Sequence, residues 1–99
     1  MKALYKFYWD CGRMGDLEGV FLADPVDVAE AIGKTIYFGE VLGKHSDISG
    51  ELEETDIELV TDDPAVIKVI HDFKLESGHD PIVTYIDYRD EGGYGGYDD

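Results

Sequence analysis

The chain has 99 residues, 43% of them hydrophobic, with eight Lys and Arg against 23 Asp and Glu and a net charge of −15. That is enough apolar material for one modest core, so wholesale disorder is excluded, and the negative charge argues against direct binding of nucleic acid or of an anionic lipid surface. A lone cysteine, Cys11, leaves no disulfide within the chain, and no apolar run reaches the roughly 20 residues of a membrane span or resembles a secretory signal, which points to a reducing, cytoplasmic setting.

Residues 2–9 alternate as a strand, with Ala3, Tyr5, Phe7 and Trp9 on one face and Leu4, Lys6 and Tyr8 on the other. Residues 10–16 hold two glycines and two aspartates and mark a turn. Residues 17–23 then read as the hairpin partner of the first strand. Asp24-Pro25 opens a short helix, the aspartate as cap and the proline in the first turn, with Val26, Ala29 and Ile32 as its apolar stripe and Gly33 as its stop. Residues 34–42 are a third strand, with Gly39 at a bulge. Residues 43–47 form a loop, and 48–52 and 56–60 are short strands.

Asp62-Asp63-Pro64 repeats the helix-opening grammar. The second helix is predicted to run to Leu75, burying Val66, Ile67, Val69, Ile70 and Phe73, with Gly78 just past its end. Asp80-Pro81 reads as a turn and residues 82–88 as a last strand. Residues 89–99, rich in Gly, Tyr and Asp, are too polar to order themselves and form a flexible acidic tail. The pattern predicts one α+β domain over residues 1–88: a mostly antiparallel sheet of five to six strands, with two short helices packed on one face.

The charge is lopsided. Residues 1–45 carry seven acids against five bases, a balance of −2. Residues 46–99 carry sixteen against three, a balance of −13, and the two sum to −15. Asp47, Glu51, Glu53, Glu54, Asp56, Glu58, Asp62 and Asp63 lie within seventeen residues. On one strand Glu54, Asp56 and Glu58 would share a side at about 6.6 Å spacing, where each neighbouring pair repels by roughly 0.6 kcal/mol in water. Such a run either is a solvated face that keeps a small protein soluble or docks on a Lys/Arg-rich surface. Tyr94 and Tyr97 in the acidic tail add stacking surface for a partner.

A second candidate site joins the loops at 10–16 and 43–47. Asp10, Cys11, Arg13, Lys44 and His45 would there bind a small, nucleotide-like anion if the loops meet. A Cys11–His45 reaction centre is disfavoured because the aspartates beside Cys11 are the wrong neighbours for a lowered thiol pKa. Arg13 is expected to pair with Asp16 or Asp10, and His71 and His79 to cap the second helix or face solvent. No calcium loop, zinc spacing, phosphate loop, dinucleotide fingerprint or hydrolase motif occurs, so neither a metal, a cofactor nor an enzymatic activity is expected.

The stretches Trp9-Asp-Cys-Gly-Arg-Met-Gly-Asp-Leu-Glu-Gly and Ile36-Tyr-Phe-Gly-Glu-Val-Leu-Gly-Lys-His-Ser-Asp resemble small proteins of phages and mobile elements, to which no chemistry is assigned. The resemblance implies a context. Small acidic phage proteins include counter-defence inhibitors that occupy the nucleic-acid channels of host nucleases. The expected function is therefore a non-enzymatic acidic inhibitor, which docks the carboxylate face of residues 47–63 on a basic surface of a host protein. Self-association through an edge strand is a further expectation.

Overall fold

The computed structural model describes residues 1–42 and 47–87. Strands β1 (Ala3–Asp10) and β2 (Asp16–Ala23) form the expected hairpin, with Ala3 opposite Ala23 and Asp10 opposite Asp16. A short 3-10 turn over Gly12–Met14 joins them. Gly12 and Gly15 both have positive φ there, a conformation that costs a residue with a Cβ. The Asp10 carboxylate accepts from the Gly12 N–H at 2.9 Å.

Asp24 caps helix α1 (Pro25–Ala31) by accepting from the Val26 N–H at 3.0 Å. The buried stripe is not the expected one. Val28 and Ala31 are buried and Ile32 packs beside them, while Ala29 is exposed and Val26 is 71% exposed. A strict three-residue spacing drifts by about 60° per step around a helix, so 26, 29 and 32 cannot share one face as well as 28, 31 and 32 do.

Among the described residues, six strands are split between two sheets rather than lying in one. Among those residues, strands β3 (Thr35–Gly39) and β4 (Ile48–Glu51) pair only with each other. The expected irregularity at Gly39 is present: the register shifts between Tyr37 and Gly39, and Gly39 has φ 78°. Strand β5 (Ile57–Thr61) pairs antiparallel with β1, and the two-residue β6 (Ser77–Gly78) pairs with β2, giving the order β5-β1-β2-β6. Gly78 thus belongs to a strand rather than merely ending a helix.

The core lies on the face of the four-stranded sheet that carries Ala3, Tyr5, Phe7, Leu17, Phe21 and Ala23. Val28 and Ala31 of α1, Ile36, Ile48 and Leu52 from around the small sheet, and Ile82 complete it. The small sheet is therefore a lid on the larger one. Its alternate apolar side chains would have no core to enter if it extended the large sheet edge to edge.

Helix α2 (Pro64–Asp72) is capped as expected, with Asp63 accepting from the Ala65 N–H at 2.9 Å. Its predicted buried face is not buried. Ile67 and Ile70 are half-buried, whereas Val66, Val69 and Phe73 are exposed, Phe73 by 72%. Ile67 and Leu22 line a common concavity, and Leu22 points from β2 away from the core cluster, as does its cross-strand partner Leu4. The two predicted helices therefore do not share a face of the sheet.

The largest correction is at the end of the described chain. Residues 81–87 are helix α3, not a strand. The β-branched and aromatic composition of Ile-Val-Thr-Tyr-Ile suggested a strand, but that preference is weak against packing. Pro81 and Ile82 are buried, Tyr85 and Ile86 pack on the core, and Val83 and Asp87 are exposed. Positions 82, 85 and 86 have helical spacing. Asp80 accepts from the N–H groups of Ile82 at 2.9 Å and Val83 at 3.1 Å, so Asp80-Pro81 is a third use of the grammar that opens α1 and α2. Tyr88 and the tail lie outside the described residues.

Asp80 carries a testable charge. Burial pushes its carboxyl above the ordinary carboxylate range, against the pull of its two backbone bonds. A carboxyl raised on folding contributes stability below its unfolded pKa and loses it as pH rises through the folded one. Asp80→Asn, which keeps the cap and drops the charge, is expected to match or exceed the parent in stability at pH 7, with the gap narrowing towards pH 4. Asp80→Ala is expected to cost about 1–2 kcal/mol in a denaturant melt. A parent that outranks Asp80→Asn at pH 7 would contradict this account.

Candidate functional site

The end of β1, the strand β4 and the segment leading into β5 enclose a concavity of about 410 Å³. Trp9, Asp10 and Cys11 form one side, Asp47 through Glu51 another, and Glu53 and Asp56 close it. Five carboxylates from three separate chain segments converge on it: Asp10, Asp47, Glu51, Glu53 and Asp56. Among the described residues none of the five is in an ion pair. The pairs present join the N-terminal ammonium to Asp24, and Lys68 and His71 to Asp72.

Trp9 organises the site. Its ring meets Phe7 and Phe38 edge-on, at 5.3 and 5.5 Å between centroids, and lies against Gly50. Its indole N–H donates to Asp56 Oδ2 at 2.8 Å, and the same oxygen accepts from the Glu53 N–H at 2.8 Å. Asp56 is thus a structural acid as well as a wall of the concavity. It ends a 3-10 turn over Glu54–Asp56, so Glu54, Asp56 and Glu58 do not form the expected row along one strand.

The remaining acids of the run are placed elsewhere. Glu58 lies opposite Lys6 across the β1–β5 ladder, on a second concavity. Asp62 stands with Lys2, Lys68 and His71 at a third, and Asp63 is occupied in capping α2. Four of the eight acids, Asp47, Glu51, Glu53 and Asp56, are therefore brought together, and Glu54, Glu58, Asp62 and Asp63 are not part of that group. Asp10, assigned from sequence to the other candidate site, joins them. Nothing in the spacing of Asp10 signals this, because the contacts that bring residue 10 beside residues 47–56, the β1–β5 pairing and the packing of the β3–β4 sheet on the larger one, are long-range. Ile57 packs against the core, but Leu59, two residues on along β5, is 55% exposed at the sheet edge.

Of the anion-site residues, Asp10 and Cys11 line the concavity and Arg13 does not. Lys44, His45, Tyr94 and Tyr97 lie outside the described residues. Arg13 forms no ion pair with Asp10 or Asp16 among the described residues. Burial, reinforced by Asp16 and Asp10, pushes the Cys11 thiol up, so the nucleophilic thiolate is suppressed. The charge of Asp47, then burial and a hydrogen bond to Asp47, push the Tyr37 phenol above its ordinary range. His79 is half-buried with its ring edge-on to Phe38 at 5.7 Å, rather than a capping residue of α2.

Among the described residues, no group of three or more His, Cys, Asp or Glu side chains is arranged to hold a metal ion, and no helix is long and apolar enough to cross a membrane. No family model, curated protein or solved structure matches the chain.

Proposed function

We propose that this chain is a non-enzymatic binding protein whose anionic side engages a basic surface of another protein, with the Trp9 concavity as the point of contact. One observation carries the reading: five carboxylates from three segments ring a concavity beside an aromatic face, and no cation among the described residues neutralises them. Acids left unpaired around one hollow repel one another, and that repulsion is relieved when a cation enters. An indole face is also a favourable seat for a guanidinium or ammonium group.

A small anion is a poorer occupant, because it would meet the same five carboxylates. The finer reading, an inhibitor that fills the nucleic-acid channel of a host protein, draws on the resemblance to small phage proteins and on the overall charge.

The test uses the single tryptophan as reporter. A hexa-arginine peptide is titrated into the chain at low and high salt while Trp9 emission is followed. Reversing one carboxylate at about 7 Å from a cation changes their interaction by roughly 1.2 kcal/mol in water, before screening. The triple variant Asp47→Lys, Glu51→Lys, Glu53→Lys is therefore expected to lose at least about tenfold in affinity, and the parent to weaken steeply with salt. Glu58→Lys and Asp62→Lys, away from the concavity, are expected to cost less than about threefold. Equal losses from both sets, or none from the triple variant, would refute the assignment of the site.

A further inference from the structure

The concavity is bounded by a free sheet edge. Among the described residues, strand β4 pairs with β3 alone. The Leu52 N–H donates to the Lys34 carbonyl at 2.9 Å and the Leu52 carbonyl accepts from the Gly33 N–H at 2.7 Å, which fixes the phase of the ladder. With Glu51 opposite Thr35, Gly50 opposite Ile36 and Ser49 opposite Tyr37, the Gly50 peptide groups turn towards β3, while those of Ser49 and Glu51 turn away. Among the described residues no hydrogen bond takes up the outward N–H and C=O groups of Ser49 and Glu51. Both residues line the concavity, with Trp9 and Asp10 across from them.

We infer that this edge receives an extended, arginine- or lysine-bearing segment of the partner as a third strand of the β3–β4 sheet. The inference rests on the basic-partner reading and adds how that partner is held: main-chain bonds to Ser49 and Glu51, with cationic side chains directed by the alternation of the added strand into the acidic hollow. An extended chain repeats its side chains on one face about every 6.8 Å, so consecutive cations of an alternating segment can meet acids on both walls. Charge selects the occupant. A second copy of this chain would bring another −15 against the same carboxylates, whereas a basic segment neutralises them. The edge strand β5 of the larger sheet offers Leu59 and Val60, and the hollow beside it holds Lys6 among its acids, so it does not choose between partners.

The experiment uses three blocked hexapeptides of alternating arginine and valine, titrated against the full chain with Trp9 emission as readout. One is unmodified, one is N-methylated on its arginine amides, and one on its valine amides. All three carry the same charge, but each methylated peptide lacks the donors on one side of the strand. One methylated peptide is expected to weaken by about tenfold or more and the other to bind like the parent. Amide exchange at Ser49 and Glu51 is expected to slow when the parent peptide is bound. If both methylated peptides bind like the parent, or both weaken equally, the added strand is refuted while the basic-partner reading stands. If the unmodified peptide also fails to bind at low salt, both fall together. A free chain that sediments as a dimer the peptide does not dissociate would show that a second copy holds the edge, and would overturn the inference.

Discussion

Gly19→Ala is expected to be among the most damaging single substitutions in this chain. A Cβ built on Gly19 falls on the backbone of His79, with the His79 nitrogen at 2.7 Å, and a Cβ on Gly78 falls on the Glu18 carbonyl and the Gly19 Cα. These two glycines face each other across the β2–β6 pair, which the His79 N–H closes by donating to the Glu18 carbonyl at 2.9 Å. Because the obstructing atoms are main chain, no rotamer change relieves the overlap, and one strand must move. That movement would displace Asp80 and with it the start of α3. A loss of about 2–4 kcal/mol is expected, or a fall in Tm on the order of 10–25 °C for a domain of this size. Gly12→Ala is the control. Gly12 also has a positive φ, 66°, but nothing lies within 4 Å of its Cβ position, so only the conformational cost of about 1 kcal/mol remains. Thermal melts of the two variants within a few degrees of each other would show that the close approach is not what the glycine is for.

Asp56→Ala is expected to cost nearly as much, through a different route. One carboxylate oxygen satisfies both the half-buried indole N–H of Trp9 and the amide of Glu53. Its removal leaves a donor unsatisfied beside the core, at about 1–3 kcal/mol, and deletes a capping interaction worth about 1 kcal/mol. Asp56→Asn retains an oxygen able to accept both bonds and loses only the charge assistance, so its cost is expected to be less than half of the alanine variant's. The discriminating measurement is the Trp9 emission maximum of the folded chain. It should shift in Asp56→Ala and stay near the parent value in Asp56→Asn. Similar melts and spectra for both variants would mean that Asp56 acts by charge alone. The same result bears on binding, since a displaced Trp9 would open the wall of the concavity opposite β4.

Much of the fold is legible locally. The aromatic alternation of residues 3–9 marks β1, and the glycines and aspartates of residues 10–16 mark its turn. The Asp-Pro pairs at 24–25 and 63–64 mark two helix starts, and each of these features works through atoms within a few residues of one another. The pair at 80–81 carried the same message, but the β-branched run after it pointed the other way. Composition then outweighed a cap that the structure shows satisfied twice. The helix stripes are legible only in part. Residues 66, 69 and 73 form as good an apolar face as any in the chain, yet they are exposed because the core side of the sheet is already covered by α1, β3–β4 and α3. Periodicity says that a helix has an apolar side, not that something stands against it.

What the amino-acid sequence determined by itself is the set of local elements and the amount and uneven distribution of charge. These depend on near neighbours and on counting. Which of those charges meet depends on how remote segments pack together. Asp10 is separated from Asp47 by more than thirty residues, and Asp56 from Trp9 by 47, yet the β1–β5 pairing and the packing of the small sheet on the large one place all of them at one hollow. Glu58 and Asp62, next to that group in the chain, are carried along β5 to other surfaces. Electrostatic function depends on distance through space, and here that distance is set by register within the larger sheet and by how the small sheet packs on it, which no single segment encodes.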